Sequence, residues 1–228
     1  MRMRRKKNLE GRLHRYGFLL IPKSPDLNFR TAANEKEYFD TEKLFGNNHP
    51  VSLEIGCGKG QFIAELARRC PEQNYIAVEK SANVIVDAAE KIEKAGLSNV
   101  ILVNCGAEYL NKYLHPQSIE RLYLNFSCPF PKKSYAGHRL TAGRFLNLYR
   151  EFLKPGAEIH FKTDNMHFFE FSLEQFSQNG YAMKNITLDL HASDFEENIM
   201  TEYEERFVAL GQPIYRLEAY FSPSENQK

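Results

Sequence analysis

Short apolar runs alternate with stretches of helical periodicity over most of the 228-residue chain. Five of these runs are typical of buried strands: 51–55, 74–78, 99–103, 121–125 and 157–162. Between them, apolar residues recur at helical spacing and predict helices over 62–70, 82–95, 140–153 and 165–179. Strands that alternate with helices indicate an α/β fold with a mainly parallel sheet and helices on both faces.

Both ends of the chain depart from this alternation. Segments 181–190 and 213–221 are predicted to be two final strands that pair antiparallel, which gives a Rossmann-like sheet of seven strands with an antiparallel final strand. The first 45 residues show no sustained periodicity, although a short helix is predicted from Asn34 to Phe45, ended by Gly46. We therefore predict a basic N-terminal extension over 1–45, partly disordered at its tip, and one domain over 46–228.

The first predicted strand runs directly into a glycine-rich turn and a helix. Its sequence is V-S-L-E-I-G-C-G-K-G, with glycines at positions 56, 58 and 60. A dinucleotide fingerprint requires a third glycine where Gln61 stands, and a P-loop requires Ser or Thr directly after Lys59. Neither motif fits. Glycine nevertheless permits a tight turn and lets a ligand approach the backbone without meeting a Cβ.

Two acidic residues accompany this turn. Glu54 precedes the first glycine, and Glu79 ends the second strand, at the place where an acid accepts hydrogen bonds from both hydroxyls of a ribose. The order of strand, turn, helix and acid therefore predicts a nucleotide site at the carboxyl ends of the strands, beside the first strand. The alternative is a chance cluster of glycines in a loop.

Charge is balanced overall but uneven along the chain. Lys and Arg number 30 against 29 acidic residues, which gives a formal charge of +1. Basic residues crowd the stretches 2–23 and 121–150, where acidic residues are almost missing, and acids concentrate in 189–205. Two basic surfaces on a neutral protein predict a polyanionic partner that is contacted at defined places. For the N-terminal cluster alone, a solvated tail is the alternative.

The cysteines and the hydropathy pattern indicate the compartment. Cys57, Cys70, Cys105 and Cys128 show no metal-binding spacing, which is typical of free thiols in a reducing cytoplasm. No apolar segment of a signal peptide follows the basic N-terminus, and no apolar run approaches the ~20 residues needed to span a membrane. We therefore expect a cytoplasmic protein without a bound metal.

Four further motifs follow the glycine turn. They are L-N-F-S-C-P-F-P-K-K at 124–133, F-K-T-D-N at 161–165, T-E-Y-E at 201–204 and G-Q-P-I-Y-R at 211–216. Together with L-E-I-G-C-G-K-G, they resemble the bacterial tRNA (guanine-N7)-methyltransferase family of class I methyltransferases. The resemblance extends over about residues 46–220, so that 46–228 is expected to be a methyltransferase domain. It implies methyl transfer from S-adenosylmethionine to N7 of a guanine in the variable loop of tRNA. Monomer and homodimer both stay open.

The resemblance also implies roles for individual residues. The methyl donor is expected at Glu54, Gly56, Gly58, Gly60, Glu79, Gly106 and Cys128. The tRNA is expected at Lys132, Asp164, Thr201, Glu202, Tyr203 and Glu204. Cys128 and Asp164 occupy the positions expected to act in catalysis.

The expected chemistry makes departures from the family pattern important. N7 of guanine carries an in-plane lone pair and loses no proton, so the protein has to align the reactants and stabilise a cationic product, for which a carboxylate is suited. The family has Asp where Cys128 stands, Trp where Phe130 stands and an acid where Gly106 stands. Phe130 retains an aromatic face, and Glu108, two residues after Gly106, could replace the second acid.

These departures leave other functions open. The chain could be a tRNA-binding module of the same fold with weak or lost activity, or a methyltransferase for small molecules, which would not need the basic clusters. Cys128 could be a nucleophile as in cytosine-C5 methyltransferases, although in those enzymes Pro precedes the Cys, whereas here Pro129 follows it. Asp164 could bind substrate or cap the helix predicted from Asn165, and the two roles are compatible.

Overall fold

The structure, a computed structural model, describes residues 4–17, 19–21 and 36–221. The chain forms two compact units, residues 1–114 and 115–228. The described part of the first unit contains α1 (Leu9–Arg15), β1 (Leu20–Ile21), α2 (Thr41–Phe45), β2 (Val51–Ile55), α3 (Gln61–Arg69), β3 (Asn74–Val78), α4 (Ala82–Lys94), β4 (Val100–Val103) and α5 (Leu110–Tyr113), with a 3-10 turn at Ala107–Tyr109.

A parallel sheet with the strand order β1-β4-β3-β2 forms the centre of the first unit. Every residue of β2, β3 and β4 is buried, as expected for mostly apolar strands that are covered on both faces. The register pairs Ile55 with Val78 and Val78 with Val103, so the three strands end side by side. The segments that follow β2, β3 and β4 therefore start at the same edge of the sheet, where α/β proteins bind their ligands.

Helix α1 lies against α4, and ion pairs connect the two helices. Arg12 donates to Glu90 at 2.8 Å and to Asp87 at 3.2 Å, and Lys6 also pairs with Asp87. Such pairs depend on tertiary contacts, which explains why the sequence pattern does not predict α1. They also neutralise part of the basic N-terminal cluster within the protein itself.

Helix α2 ends at the residue that the sequence predicts, and it is short. Asp40 caps it by accepting the backbone N–H of Lys43 at 3.0 Å, and Gly46, with φ of 70°, ends it as predicted. The predicted start at Asn34 lies outside the described residues. The partial disorder predicted for the basic extension stays a prediction, and residues Leu9–Arg15 within that extension form α1. The boundary between an extension and a domain at residue 45 stays a prediction.

The described part of the second unit contains β5 (Ile119–Asn125), α6 (Gly143–Phe152), β6 (Leu153–Thr163), α7 (Met166–Gln178), β7 (Tyr181–Thr187), α8 (Glu202–Ala209) and β8 (Tyr215–Phe221), with 3-10 turns at Lys133–His138 and Leu190–Ala192. The strand order is β5-β6-β8-β7. β5 and β6 are parallel, whereas β8 runs antiparallel to both β6 and β7.

The predicted fold class, a mainly parallel α/β protein with an antiparallel final strand, is confirmed. The described strands number eight instead of seven, because β1 is only two residues long and gives no periodic pattern. The sequence pattern also does not predict α8, whose residues are mostly polar. Among the described helices, none combines the length and the apolar character needed to cross a membrane.

Candidate functional site

The turn after β2 is closed by backbone hydrogen bonds to the neighbouring strand. The N–H groups of Gly56 and Cys57 both donate to the carbonyl oxygen of Val78, at 2.7 and 3.0 Å. The N–H of Gly60 donates to the carbonyl oxygen of Cys57 at 2.9 Å, and α3 begins at the next residue. The local sequence thus forms the predicted strand, turn and helix, with the positive end of the helix dipole at the turn.

Glycine is required in this turn for two different reasons. Gly56, Gly58 and Gly60 have φ values of 85°, 56° and 75°, in the left-handed region that other residues rarely adopt. A Cβ on Gly60 would lie 2.9 Å from the Cβ of Ala88, so this glycine lets α3 approach α4. A Cβ on Gly56 or Gly58 would meet no described atom within 4 Å. The backbone of these two glycines is therefore open to a ligand.

Two carboxylates create a negative potential at the turn. Glu54 in β2 is only 2 % exposed, and Glu79 is half-buried directly after β3. Burial, and then the charges of Glu54 and Glu79, raise the pKa of the Cys57 thiol well above its usual range. Cys57 therefore stays neutral and fills space in the turn, and the potential that keeps it neutral favours a cationic ligand.

Glu79 is held firmly at the end of β3. Its Oε1 accepts the backbone N–H of Ser81 at 2.8 Å, and its carbonyl oxygen accepts the side-chain amide of Asn104 at 2.7 Å. A carboxylate can accept about four hydrogen bonds. The contact with Ser81 therefore leaves capacity for the hydroxyls of a ribose.

The side chain of Glu108 covers Gly106. A Cβ built on Gly106 would lie 2.5 Å from Oε2 and 2.7 Å from Cδ of Glu108. The Glu108 carboxylate thus occupies the space that a side chain at position 106 would enter. Glu108 is exposed and follows β4, the strand next to β3. Glu54 therefore lies in β2, Glu79 directly after β3, and Glu108 in the 3-10 turn that follows β4, so the three acids belong to neighbouring strands or the segments after them.

In the second unit, Arg139 holds the loop that follows β5. Phe126 and Phe130 have φ values of 49° and 41°, which is unusual for residues other than glycine and marks strain of the kind found at functional sites. Arg139 donates to the carbonyl oxygens of Pro129 at 2.8 Å and Phe130 at 3.1 Å, and its guanidinium lies 4.3 Å from the ring centre of Phe171. These contacts show that Arg139 positions the loop, which its charge alone does not predict.

The same loop exposes a thiol, a lysine and aromatic rings. Cys128 and Lys132 are both exposed, and Lys132 precedes a 3-10 turn in which Tyr135 is 48 % exposed. The ring centre of His138 lies 5.8 Å from that of Phe130 and 5.9 Å from that of Tyr135. Cations beside accessible rings can contact phosphates and stack on unpaired bases, which is how proteins bind single-stranded parts of RNA.

Asp164 directly follows β6 and is half-buried. The cap of α7 is Asn165, whose Oδ1 accepts the N–H of Phe168 at 2.9 Å, so the alternative that Asp164 caps this helix is wrong. Burial raises the pKa of Asp164, and a hydrogen bond from its own backbone N–H offsets only part of that rise. A carboxylate whose charged form is destabilised in this way is a candidate for a functional group.

The T-E-Y-E motif divides into buried and accessible residues at the start of α8. Thr201 caps the helix, because its Oγ1 accepts the N–H of Glu204 at 3.0 Å. Thr201 and Glu204 are buried, Glu202 is partly exposed, and Tyr203 is 59 % exposed. Direct contact with a large substrate is therefore open to Glu202 and Tyr203.

Lys162 is a buried residue whose contacts the sequence pattern does not predict. It is 5 % exposed, and its Nζ donates to Glu204 Oε2 at 2.8 Å, to Asn198 Oδ1 at 2.9 Å and to the carbonyl oxygen of Ile199 at 3.0 Å. Its own carbonyl oxygen accepts the N–H of Phe126 at 2.9 Å. The structure thus brings together the motifs at 124–133, 161–165 and 201–204. The place of Lys162 in the F-K-T-D-N motif, two residues before Asp164, was the available signal.

Among the residues that the structure describes, the ligand atoms of one cluster lie close enough together for a metal ion. Glu158, His160 and Glu218 offer atoms within 4.8 Å of one another. Lys184 Nζ lies 2.5 Å from Glu158 Oε1, and Arg216 pairs with Glu218. Burial alone would raise the pKa of Glu158, but hydrogen bonds from His160 and Lys184 hold it at about 2. Cations of the protein already occupy these carboxylates, so we interpret the cluster as an ion-pair network.

Comparisons with known proteins give a consistent family. Residues 48–217 match the model of a family described as putative methyltransferase. A tRNA (guanine-N(7)-)-methyltransferase of Bacillus cytotoxicus is 44 % identical over 222 residues, which cover 97 % of this chain and 97 % of that protein. A protein of the same name from Geobacillus sp. is 49 % identical over 185 residues, 81 % of this chain and 84 % of the relative.

Solved structures support the fold. A 16S rRNA methyltransferase, KamB, has a TM-score of 0.62 at 18 % identity, covering 82 % of this chain and 96 % of that one. An antibiotic-related methyltransferase has a TM-score of 0.59 at 19 % identity, covering 87 % and 95 %. At this identity the likeness concerns the fold alone, and that fold is the Rossmann-like fold of class I methyltransferases.

Proposed function

The chain belongs to the tRNA (guanine-N7-)-methyltransferase family, and we propose from this that it transfers a methyl group from S-adenosylmethionine to N7 of a guanine in the variable loop of tRNA. The observation that carries the proposal is 44 % identity with a relative of that name along 97 % of both chains. The glycine turn and the four later motifs all lie inside the residues that match the family model.

The residues of the first unit fit the methyl donor. S-adenosylmethionine supplies an activated methyl group and carries a sulfonium and an ammonium, which the negative potential of Glu54 and Glu79 would favour. The open backbone at Gly56 and Gly58 leaves room for it, and Glu79 would accept hydrogen bonds from its ribose.

The residues of the second unit fit the methyl acceptor, which is the guanine of the tRNA, and we call them the acceptor side. N7 already has a lone pair, so no residue has to remove a proton, and the chain has to align the base and stabilise the positive charge that develops on it. We assign that charge stabilisation to Asp164, because burial already destabilises its carboxylate and a cationic base would relieve this effect. Lys132, Glu202 and Tyr203 are accessible and would contact the tRNA. No step of this reaction requires a metal.

The test is methyl transfer to unmodified tRNA. The full chain is incubated with tRNA transcripts and labelled S-adenosylmethionine, and 7-methylguanosine is located by mild reductive cleavage of the RNA. We expect label at one guanine of the variable loop, and no label in a transcript with adenine at that position. Binding without transfer would instead support a tRNA-binding module. Light scattering of the same sample decides between monomer and homodimer.

Glu108 is our candidate for the residue that binds the adenine. The ribose is assigned to the end of β3, and β4 is the next strand in the sheet, so the base would extend towards the segment that follows β4. The exocyclic amino group of adenine is a donor, and the Glu108 carboxylate is an exposed acceptor in the space of a side chain at position 106. Glu108 would thereby compensate for the glycine at position 106.

Glu108→Ala is expected to weaken binding of S-adenosylhomocysteine about tenfold or more, because a hydrogen bond to a charged group is lost. Isothermal titration calorimetry measures the affinity. Adding Gly106→Asp to this variant should restore most of it, since the new carboxylate occupies the space that Glu108 vacates. Glu42→Ala, at an exposed acid of α2, is the matched control for charge. Equal affinities of Glu108→Ala and wild type would disprove the assignment.

Cys128→Asp is expected to increase the rate of methyl transfer several-fold, because it adds a carboxylate at the position where the family has one. The melting temperature serves as the control and should not fall, since the Cys128 side chain is exposed. An unchanged rate would mean that the acceptor side already has sufficient negative charge from Asp164.

A further inference from the structure

One buried ion pair connects three of the motifs of the second unit, those at 124–133, 161–165 and 201–204. Lys162, the second-last residue of β6, binds Glu204 in α8 through its side chain and Phe126 in the loop after β5 through its carbonyl oxygen. We propose that Lys162 and Glu204 are positioning residues, which hold the start of α8 so that Glu202 and Tyr203 face the tRNA in a fixed orientation. The inference rests on the proposed function for the identity of the substrate.

The polar atoms of Glu204 form hydrogen bonds with other residues of the protein. Its Oε2 accepts from Lys162 at 2.8 Å, and its Oε1 accepts from His191 Nε2 at 3.0 Å and from Asn198 Nδ2 at 2.6 Å. Its backbone N–H donates to the hydroxyl of Thr201. The side chain is completely buried. Glu204 can therefore influence the substrate only through the residues that it holds.

The ammonium group of Lys162 also forms its hydrogen bonds within the protein. An ammonium group has three N–H donors, and Glu204, Asn198 and the carbonyl oxygen of Ile199 accept hydrogen bonds from it. Two of these acceptors belong to a segment, 193–201, in which no regular helix or strand forms. Because that segment lacks backbone ladders, its path towards α8 depends on side-chain contacts such as these.

The pair also fixes α8 relative to two other parts of the acceptor side. Asp164 follows Lys162 by two residues on the same strand end. The rings of Phe126 and Phe207 stack with centres 6.3 Å apart, which places α8 beside the loop after β5. A buried ion pair contributes little net stability compared with apolar side chains, but it is satisfied in only one geometry. We infer that this geometry is its function here.

The proposal is tested by a double-mutant cycle with Lys162→Met and Glu204→Met in the full chain. Each single change leaves a buried charge without its partner and is expected to lower the melting temperature and raise KM for tRNA about tenfold. Affinity for S-adenosylhomocysteine should not change. The double variant removes both charges and should recover part of both losses. Glu205→Gln, at an exposed acid on the same helix, is the control and should match wild type.

A direct contact between Glu204 and tRNA would give a different result. Lys162→Met would then leave KM for tRNA unchanged, and the double variant would be as impaired as Glu204→Met, which would overturn the proposal. Glu204→Gln, which keeps the shape and can still accept from Lys162, provides the same readout if the Met variants fail to fold. If wild type transfers no methyl group, the proposed function fails, whereas coupling in the unfolding cycle and in tRNA affinity still decides the role of the pair.

Discussion

Asp164→Asn is expected to lower kcat for methyl transfer about 100-fold, while the affinity for S-adenosylhomocysteine stays unchanged. Positive charge develops on the purine ring only as the methyl group arrives, so a carboxylate at this position stabilises the transition state more than the ground state. Asparagine keeps the size and one acceptor oxygen but removes the charge. Single-turnover rates with saturating tRNA measure the effect on the chemical step.

The pH dependence of this variant separates a role in catalysis from one in folding. The wild-type rate should decrease as the pH is lowered through the pKa of Asp164, which burial raises, and the rate of the Asn variant should be flat in that range. The folded pKa is higher than the unfolded one, so the stability contributed by the protonated form is lost as pH rises through the folded value. At neutral pH we therefore expect Asp164→Asn to raise the melting temperature. A fall in both rate and melting temperature would indicate a structural role instead.

The parts of the fold that the sequence predicts are those that depend on local pattern. β2, the glycine turn and α3 agree with prediction to within a residue, because apolar runs, glycines and helical spacing act over short distances. α1 and α8 escape prediction, since ion pairs with α4 hold the first, and a threonine cap and a buried glutamate hold the second.

The candidate site also contains residues that local pattern predicts and residues that depend on tertiary contacts. The nucleotide site expected at the glycine turn and at Glu79 could be inferred from the spacing of these residues. The contact between Lys162 and Glu204 joins residues 42 positions apart, and the placement of Glu108 over Gly106 depends on a side-chain conformation. Neither of these two contacts produces a periodic pattern in the sequence. The roles proposed for Glu204 and Glu108 therefore follow from tertiary contacts that form only in the folded chain.

The glycine turn allows ligand binding to be separated from folding with two alanine substitutions. Gly60→Ala is expected to lower the free energy of unfolding by about 2–4 kcal/mol, the sum of left-handed strain and a 2.9 Å contact with Ala88. Gly58→Ala carries only the strain, about 1–2 kcal/mol. Urea unfolding measures both values.

Affinity for the ligand should show the opposite order, with the larger loss in Gly58→Ala and the smaller loss in Gly60→Ala. The Cβ of Gly58→Ala would enter the open space that we assign to the methyl donor, so affinity for S-adenosylhomocysteine should fall at least about tenfold. Gly96→Ala is the matched control, because Gly96 has φ of 65° and equally open surroundings but follows α4, away from the turn. It should lose the same stability as Gly58→Ala and bind the ligand like wild type. Unchanged affinity in Gly58→Ala would exclude the turn as the place where the donor binds, because strain and open space are equal in the two variants and only their positions differ.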